Sequence, residues 1–194
     1  AGPVGLVAAL TLAHHGVHSI VLDRKSTFND GSRAICIARA SFQLLDCLGV
    51  LQPFLQKSLG WTIGRTFYRG QQILEFSMAH TAHEKFLPMY NLQQQYIEQY
   101  LYDAAAQSPY VTFRWQSEVT GLRQADGAAE VSVQDPNGGY RIRAPWVLAA
   151  DGAGVPSLTA RPRSHVGRRA TARSRRSGLG PRRRRVGSRE AEKS

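Results

Sequence analysis

The first five residues, Ala1-Gly2-Pro3-Val4-Gly5, have the types and spacing that hold a phosphate. A glycine at the mouth of a helix lets the backbone come close to a bulky anion. The helix then offers free N–H groups and the positive end of its dipole. Pro3 suits the first helical turn, where its missing N–H costs nothing. Asp23 stands 21 positions after Gly2, about where a carboxylate can take the hydroxyls of a ribose. No metal chemistry is suggested. His80 and His83 are three apart with no third ligand nearby, and read as a solvated loop. Cys36 and Cys47 form no Cys-x-x-Cys pair and read as two reduced thiols of a cytoplasmic protein. No catalytic base or nucleophile stands out.

The elements that must position these residues follow from periodicity. Leu6, Leu10 and Ala13 recur at helical spacing with Val7 beside them, and Gly16 suits the end of the helix. Residues Val17 to Asp23 read as a short buried strand ending in an acid. Turn, helix, glycine, strand and acid make the back half of a Rossmann βαβ unit. A lone Gly-x-x-Gly would read as the ends of an ordinary helix; the proline, strand and acid together favour dinucleotide binding. A full fingerprint has a strand and one more glycine ahead of Ala1, so the expectation is a unit truncated at its N-terminus.

A polar loop, Lys25 to Ser32, and the segment Arg33 to Arg39 lead to a helix over 40–48. Leu44, Leu45 and Leu48 would face inward, and Gly49 would stop it. Residues 61–68 and 72–77 read as strands of a hairpin around Arg69-Gly70-Gln71. Trp61, Phe67, Phe76 and Phe86 read as core in preference to a ligand wall. The run Tyr90 to Leu101 opens a helix with Leu92, Tyr96, Ile97 and Leu101 on its buried face. Residues 110–115, 118–124, 129–133 and 140–143 alternate like the strands of a β-meander, with tight turns at Asp126-Gly127 and Asn137-Gly138-Gly139. Pro145 to Ala153 reads as an apolar buried strand carrying Asp151-Gly152.

Charge is confined to one end. Residues 161–194 carry 13 of the 25 basic side chains and two of the 14 acidic ones, so the net charge of +11 belongs to this stretch. It is rich in Arg, Gly, Pro, Ala and Ser and contains no aromatic residue, a composition that cannot offset its ordering entropy and predicts disorder. Arg182–Arg185 could bind nucleic acid by charge alone, but no aromatic is interleaved for base stacking. Nucleic acid is therefore not the expected partner. No apolar run approaches the roughly 20 residues that a membrane span needs.

Taken together, Ala1–Gly5, Asp23-Arg24, the Arg33 segment, the Asn91-Leu92-x-x-x-Tyr96-Ile97-Glu98 helix start and the meander before Asp151-Gly152-Ala153 closely resemble the FAD-dependent aromatic hydroxylases. These are the class A flavoprotein monooxygenases, which include the para-hydroxybenzoate, phenol and hydroxyphenylpropionate hydroxylases. The resemblance implies an α/β, Rossmann-like FAD-binding fold with a β-meander, and the start of a β-rich substrate domain. It implies an incomplete, discontinuous FAD-binding domain over 1–58 and 91–153, and a partial substrate-domain hairpin over 59–90. It also implies cofactor contacts from Gly2, Pro3, Val4, Gly5, Asp23, Arg24, Arg33, Gln94, Val119 and Asp151. Taken without its neighbours, Arg33 would read as a solvated loop charge.

The implied activity is hydroxylation of a phenolic ring. NAD(P)H is the co-substrate that reduces FAD, and dioxygen then gives a flavin C4a-hydroperoxide. The likeness ends at Ala153, where Gly154-Val155-Pro156 replaces the expected Arg-x-Ser, and residues 154–194 are expected to be a frameshift product. The isolated chain is expected to be inactive. The rival readings are a nicotinamide dehydrogenase, a flavin-binding oxidoreductase without oxygenase activity and a basic-tailed nucleic-acid-binding remnant. No motif speaks to oligomeric state.

Overall fold

A computed structural model describes residues 1–27 and 36–152 of the 194. The chain divides into two units, Ala1–Arg161 and Pro162–Ser194, and the second lies wholly outside the described residues. So does Arg33, and so does the basic stretch for which disorder is expected.

Helix α1 spans Pro3–His14 and buries Leu6, Ala9 and Leu10. It ends as its sequence dictates. Gly16 takes a φ of +70°, its N–H donates to the Ala13 carbonyl, and the Val17 N–H reaches back to Leu12. These two bonds satisfy carbonyls that a helix end leaves open, and only glycine adopts that φ without strain. Helix α2, Arg39–Cys47, closes in the same way at Gly49. Its buried residues are Phe42 and Leu45, whereas Leu44 is exposed and Leu48 half-buried, so the inward face differs from the expected one. Phe42 displaces Leu44 because its ring stacks on Tyr90, with centroids 3.8 Å apart.

A short helix α3, Gln52–Lys57, buries Phe54 against Tyr100 of α4, Gln94–Ala106. Helices α1 and α4 pack on each other and on a parallel pair, β1 (Ser19–Leu22) and β7 (Val111–Arg114). The architecture is α/β. Two expectations change here. First, β1 is not a buried strand, since Ile20 is exposed. A two-stranded sheet covered by helices cannot shield both faces of its strands. Second, residues 110–115 do not belong to the meander. Alternation marks a strand without naming its partner, and this strand follows α4 back beside β1, as parallel pairing requires.

The meander proper has three antiparallel strands: β8 (Glu118–Ala125), β9 (Ala128–Asp135) and β10 (Gly138–Ala144). Asp126 and Gly127 both have positive φ, as a two-residue hairpin turn demands. A second antiparallel sheet sets β6 (Met89–Asn91) between β2 (Cys36–Ala38) and β3 (Leu59–Trp61). Asn91 fastens it, because its Oδ1 accepts from Trp61 Nε1 at 2.9 Å and from Cys36 Sγ at 3.4 Å. The run from Tyr90 is thus strand first and helix only from Gln94.

The expected hairpin is present as β4 (Ile63–Tyr68) and β5 (Gln71–Ser77), turning at Arg69-Gly70. Of the four aromatics expected in the core, Phe86 is buried and Trp61 half-buried. Phe67 and Phe76 are 60% and 44% exposed: the two-stranded sheet pairs with no further strand, and the edge-on ring of Trp61 covers Phe76 only in part. The segment 145–152 carries no strand. Trp146 is 86% and Leu148 68% exposed, contrary to the buried strand its composition suggests. An apolar run becomes a buried strand only where another strand pairs with it and a layer covers it, and neither occurs among the described residues.

Candidate functional site

The site is built at the start of α1. No side chain caps this helix and no acidic residue stands in its first turn, so its leading N–H groups have no side-chain partner from within the helix. Gly2 has an ordinary extended backbone (φ −78°, ψ 174°), and a Cβ placed there would meet nothing within 4 Å. Neither conformation nor packing therefore requires glycine at this position. Open space beside N–H groups without a side-chain cap leaves room for an anion at this position. Val4 is largely exposed on the same turn, and Pro3 occupies the first helical position.

Gly5 faces the segment that precedes Asp151. A Cβ on Gly5 would lie 3.5 Å from the Ala150 Cβ, an ordinary contact. Besides packing on β1 and β7, the helix thus touches the segment that leads into Asp151-Gly152. This contact puts Ala150, the neighbour of exposed Asp151, at the Gly2–Gly5 end of α1.

Asp23 joins the same end. Its carboxylate pairs with the Ala1 amine through Oδ2 and accepts the Lys25 N–H at 2.9 Å through Oδ1. Its backbone is fixed on both sides: Asp23 N–H donates to the Arg114 carbonyl (3.1 Å), and its carbonyl accepts from Ser117 N–H (2.9 Å). Gln116 N–H bonds to the Lys25 carbonyl (2.8 Å). The turn between β7 and β8 is thereby laced to Asp23 and Lys25, which sets half-buried Val119 two residues beyond an anchored position. Arg24 is exposed within this stretch.

Gln94 begins α4 and donates from Nε2 to Glu98 Oε1 at 2.6 Å. Glu98 is a buried carboxylate that sequence reasoning missed. The available signal was its position. It falls on the same helical stripe as Leu101 and Ala105, where a charged residue has no place unless a partner awaits it. The structure ties Asp23 to Ala1 and to the β7–β8 turn, and Gly5 to Ala150, while Gln94 starts α4, which packs on α1. Among the described residues, no group of three His, Cys, Asp or Glu could hold a metal ion, and His80 Nδ1 instead lies 3.3 Å from Glu84. No described helix is long and apolar enough to cross a membrane.

A family model described as FAD binding domain matches residues 1–179. The chain belongs to this FAD-binding family. The match runs past Ala153, where the sequence reading ended the likeness. Curated relatives are aromatic monooxygenases. A para-nitrophenol 4-monooxygenase of Pseudomonas sp. strain WBC-3 is 28% identical over 78% of this chain and 38% of its own length. A 3-(3-hydroxy-phenyl)propionate/3-hydroxycinnamic acid hydroxylase of Burkholderia vietnamiensis is 29% identical over 80% of this chain and 29% of its own. The crystal structure of a p-nitrophenol 4-monooxygenase from Pseudomonas putida DLL-E4 superposes with a TM-score of 0.70 at 26% identity, covering 75% of this chain and 38% of that one. This FAD-binding chain thus spans about a third of the length of the relatives it matches. The matched family is described by its FAD binding, and the relatives named here are monooxygenases.

Proposed function

We propose that this chain is the FAD-holding part of a monooxygenase that hydroxylates a small phenolic ring, with NAD(P)H as reductant and dioxygen as oxidant. The observation that carries the reading is the open, uncapped α1 start at Gly2, with Asp23 and the Ala150-Asp151 segment beside it. Gly2, Pro3, Val4 and Gly5 would admit the pyrophosphate. Asp23, held by its backbone bonds, would take the adenosine ribose with Arg24 alongside. Arg33, Gln94, Val119 and Asp151 would line the way to the flavin ring. The oxygen-transfer chemistry is the cofactor's; the chain binds and orients it.

The domain division proposed is 1–58 with 91–153 for FAD, and 59–90 for the beginning of a substrate domain. The exposed, apolar β4–β5 hairpin supports that role. A cytoplasmic setting is proposed from the free thiols of Cys36 and Cys47. With about a third of its relatives' length, the chain alone is expected to bind FAD and to turn over no phenol. Joined to the remaining length of such a relative, it should support oxygen uptake that needs NAD(P)H and rises when a phenol is added. Flavin reduction with no phenol-stimulated oxygen uptake would instead support a flavin oxidoreductase without oxygenase activity.

A further inference from the structure

The buried Glu98 has no task in the reading above. Its side chain lies on the inner stripe of α4 with Leu101 and Ala105, and the residue is 1% exposed. A carboxylate removed from water at such a position is costly unless it is hydrogen-bonded. One of its bonds is explicit: Gln94, one helical turn earlier, donates Nε2 to Oε1 at 2.6 Å. The direction of this bond has a consequence for Gln94. A carboxylate only accepts, so the amide must turn its NH2 group inward, and its carbonyl oxygen is left as the outward-facing group. A bare glutamine samples both amide orientations; this one is fixed in one of them.

We propose that Glu98 is a positioning residue that locks the Gln94 amide so that it presents a hydrogen-bond acceptor to the cofactor. The group it would meet is a donor on FAD, either a ribityl hydroxyl or a ring N–H. The inference rests on the reading of Gln94 as a cofactor contact, and deepens it by giving the polarity of that contact and its cause. Removing the carboxylate's exclusive acceptor character frees the amide to flip. The E98Q substitution nearly conserves volume but puts an amide in place of the carboxylate. That amide can donate as well as accept, so both orientations of Gln94 find a partner.

The test is a double-mutant cycle on the full 194-residue chain, using E98Q, Q94L and the pair together. FAD affinity is read by quenching of flavin fluorescence, and the thermal midpoint is read without FAD. E98Q and Q94L are each expected to weaken FAD by about three- to tenfold, the size of one lost hydrogen bond. The double variant should bind no more weakly than Q94L, with the E98Q midpoint within a few degrees of wild type. Additive losses, or an E98Q chain with unchanged affinity, would overturn the inference while leaving FAD binding in place. No FAD binding by the wild-type chain would overturn the cofactor reading and this inference with it. Should E98Q fail to fold, the wild-type Gln94 side-chain amide is read by NMR instead. One Nε2 proton should be protected from exchange both before and after FAD is added. Exchange like that of an exposed glutamine overturns the proposal.

Discussion

Gly2 carries the sharpest prediction at the residue scale, because nothing among the described residues packs where its side chain would stand. Its backbone is extended and its surroundings are open. Gly2→Ala should therefore fold, changing stability by no more than about 1 kcal/mol, the difference between glycine and alanine at a helix N-cap. FAD affinity should fall about tenfold or more, since the added methyl stands where the pyrophosphate approaches. Calorimetric unfolding and FAD titration of the same sample separate the two effects. Gly5→Ala tests the packing side of the same turn. Its methyl would meet Ala150 at ordinary contact distance, so the variant should retain its fold. Asp23 makes a different demand. Its carboxylate serves the Lys25 amide as well as the proposed ribose, so Asp23→Asn should weaken FAD binding and loosen the Asp23–Lys25 stretch together, the latter visible as faster exchange of the Lys25 amide.

At the scale of elements, the core depends on α2 meeting the central β6 strand. Phe42 is fully buried, stacked on Tyr90 and edge-on to Phe86. Phe42→Ala should cost about 3–5 kcal/mol in denaturant unfolding, as expected for a large aromatic removed from a packed core. The β4–β5 hairpin depends on much less. Arg65 Nε donates to Glu75 Oε2 at 2.7 Å across the strands, and that bond, with the guanidinium's charge, holds the Glu75 carboxyl below its ordinary value. A carboxyl whose folded pKa lies below its unfolded one contributes above the ordinary carboxylate range and loses that contribution as pH falls through the lowered value. The hairpin should thus fray in acid while the core amides stay protected, a difference an NMR pH titration reads directly.

Sequence periodicity serves well wherever an element buries one face against its near neighbours. Leu6 and Leu10 in α1, Leu101 in α4, and the glycine stops at Gly16 and Gly49 are all local statements, written in a few residues. It serves poorly where burial depends on a distant partner. Leu148 and Trp146 read as a buried strand, and Phe67 and Phe76 as core, because apolar composition signals a wish to be covered without saying what covers it. The strand over 111–114 is legible but its place is not, since alternation is blind to whether the neighbour is β8 or β1. The site shows the same division. Gly2, Pro3 and Asp23 are proposed from spacing alone. The Ala150 contact on Gly5 and the buried Glu98 beneath Gln94 depend on the folded chain.

For the whole molecule, fold and family agree on one cofactor. The FAD-binding family model spans most of the chain, and the structure superposes on a nitrophenol monooxygenase. What the chain adds is a pre-shaped, uncapped helix start with a backbone-anchored acid beside it. The most direct measurement is an equilibrium titration of the full chain with FAD, following flavin fluorescence and absorbance. The account predicts saturable binding of one FAD per chain, weakened by Gly2→Ala at unchanged thermal stability. A chain that folds but shows no saturable FAD binding, or that binds as well with alanine at position 2, would contradict it.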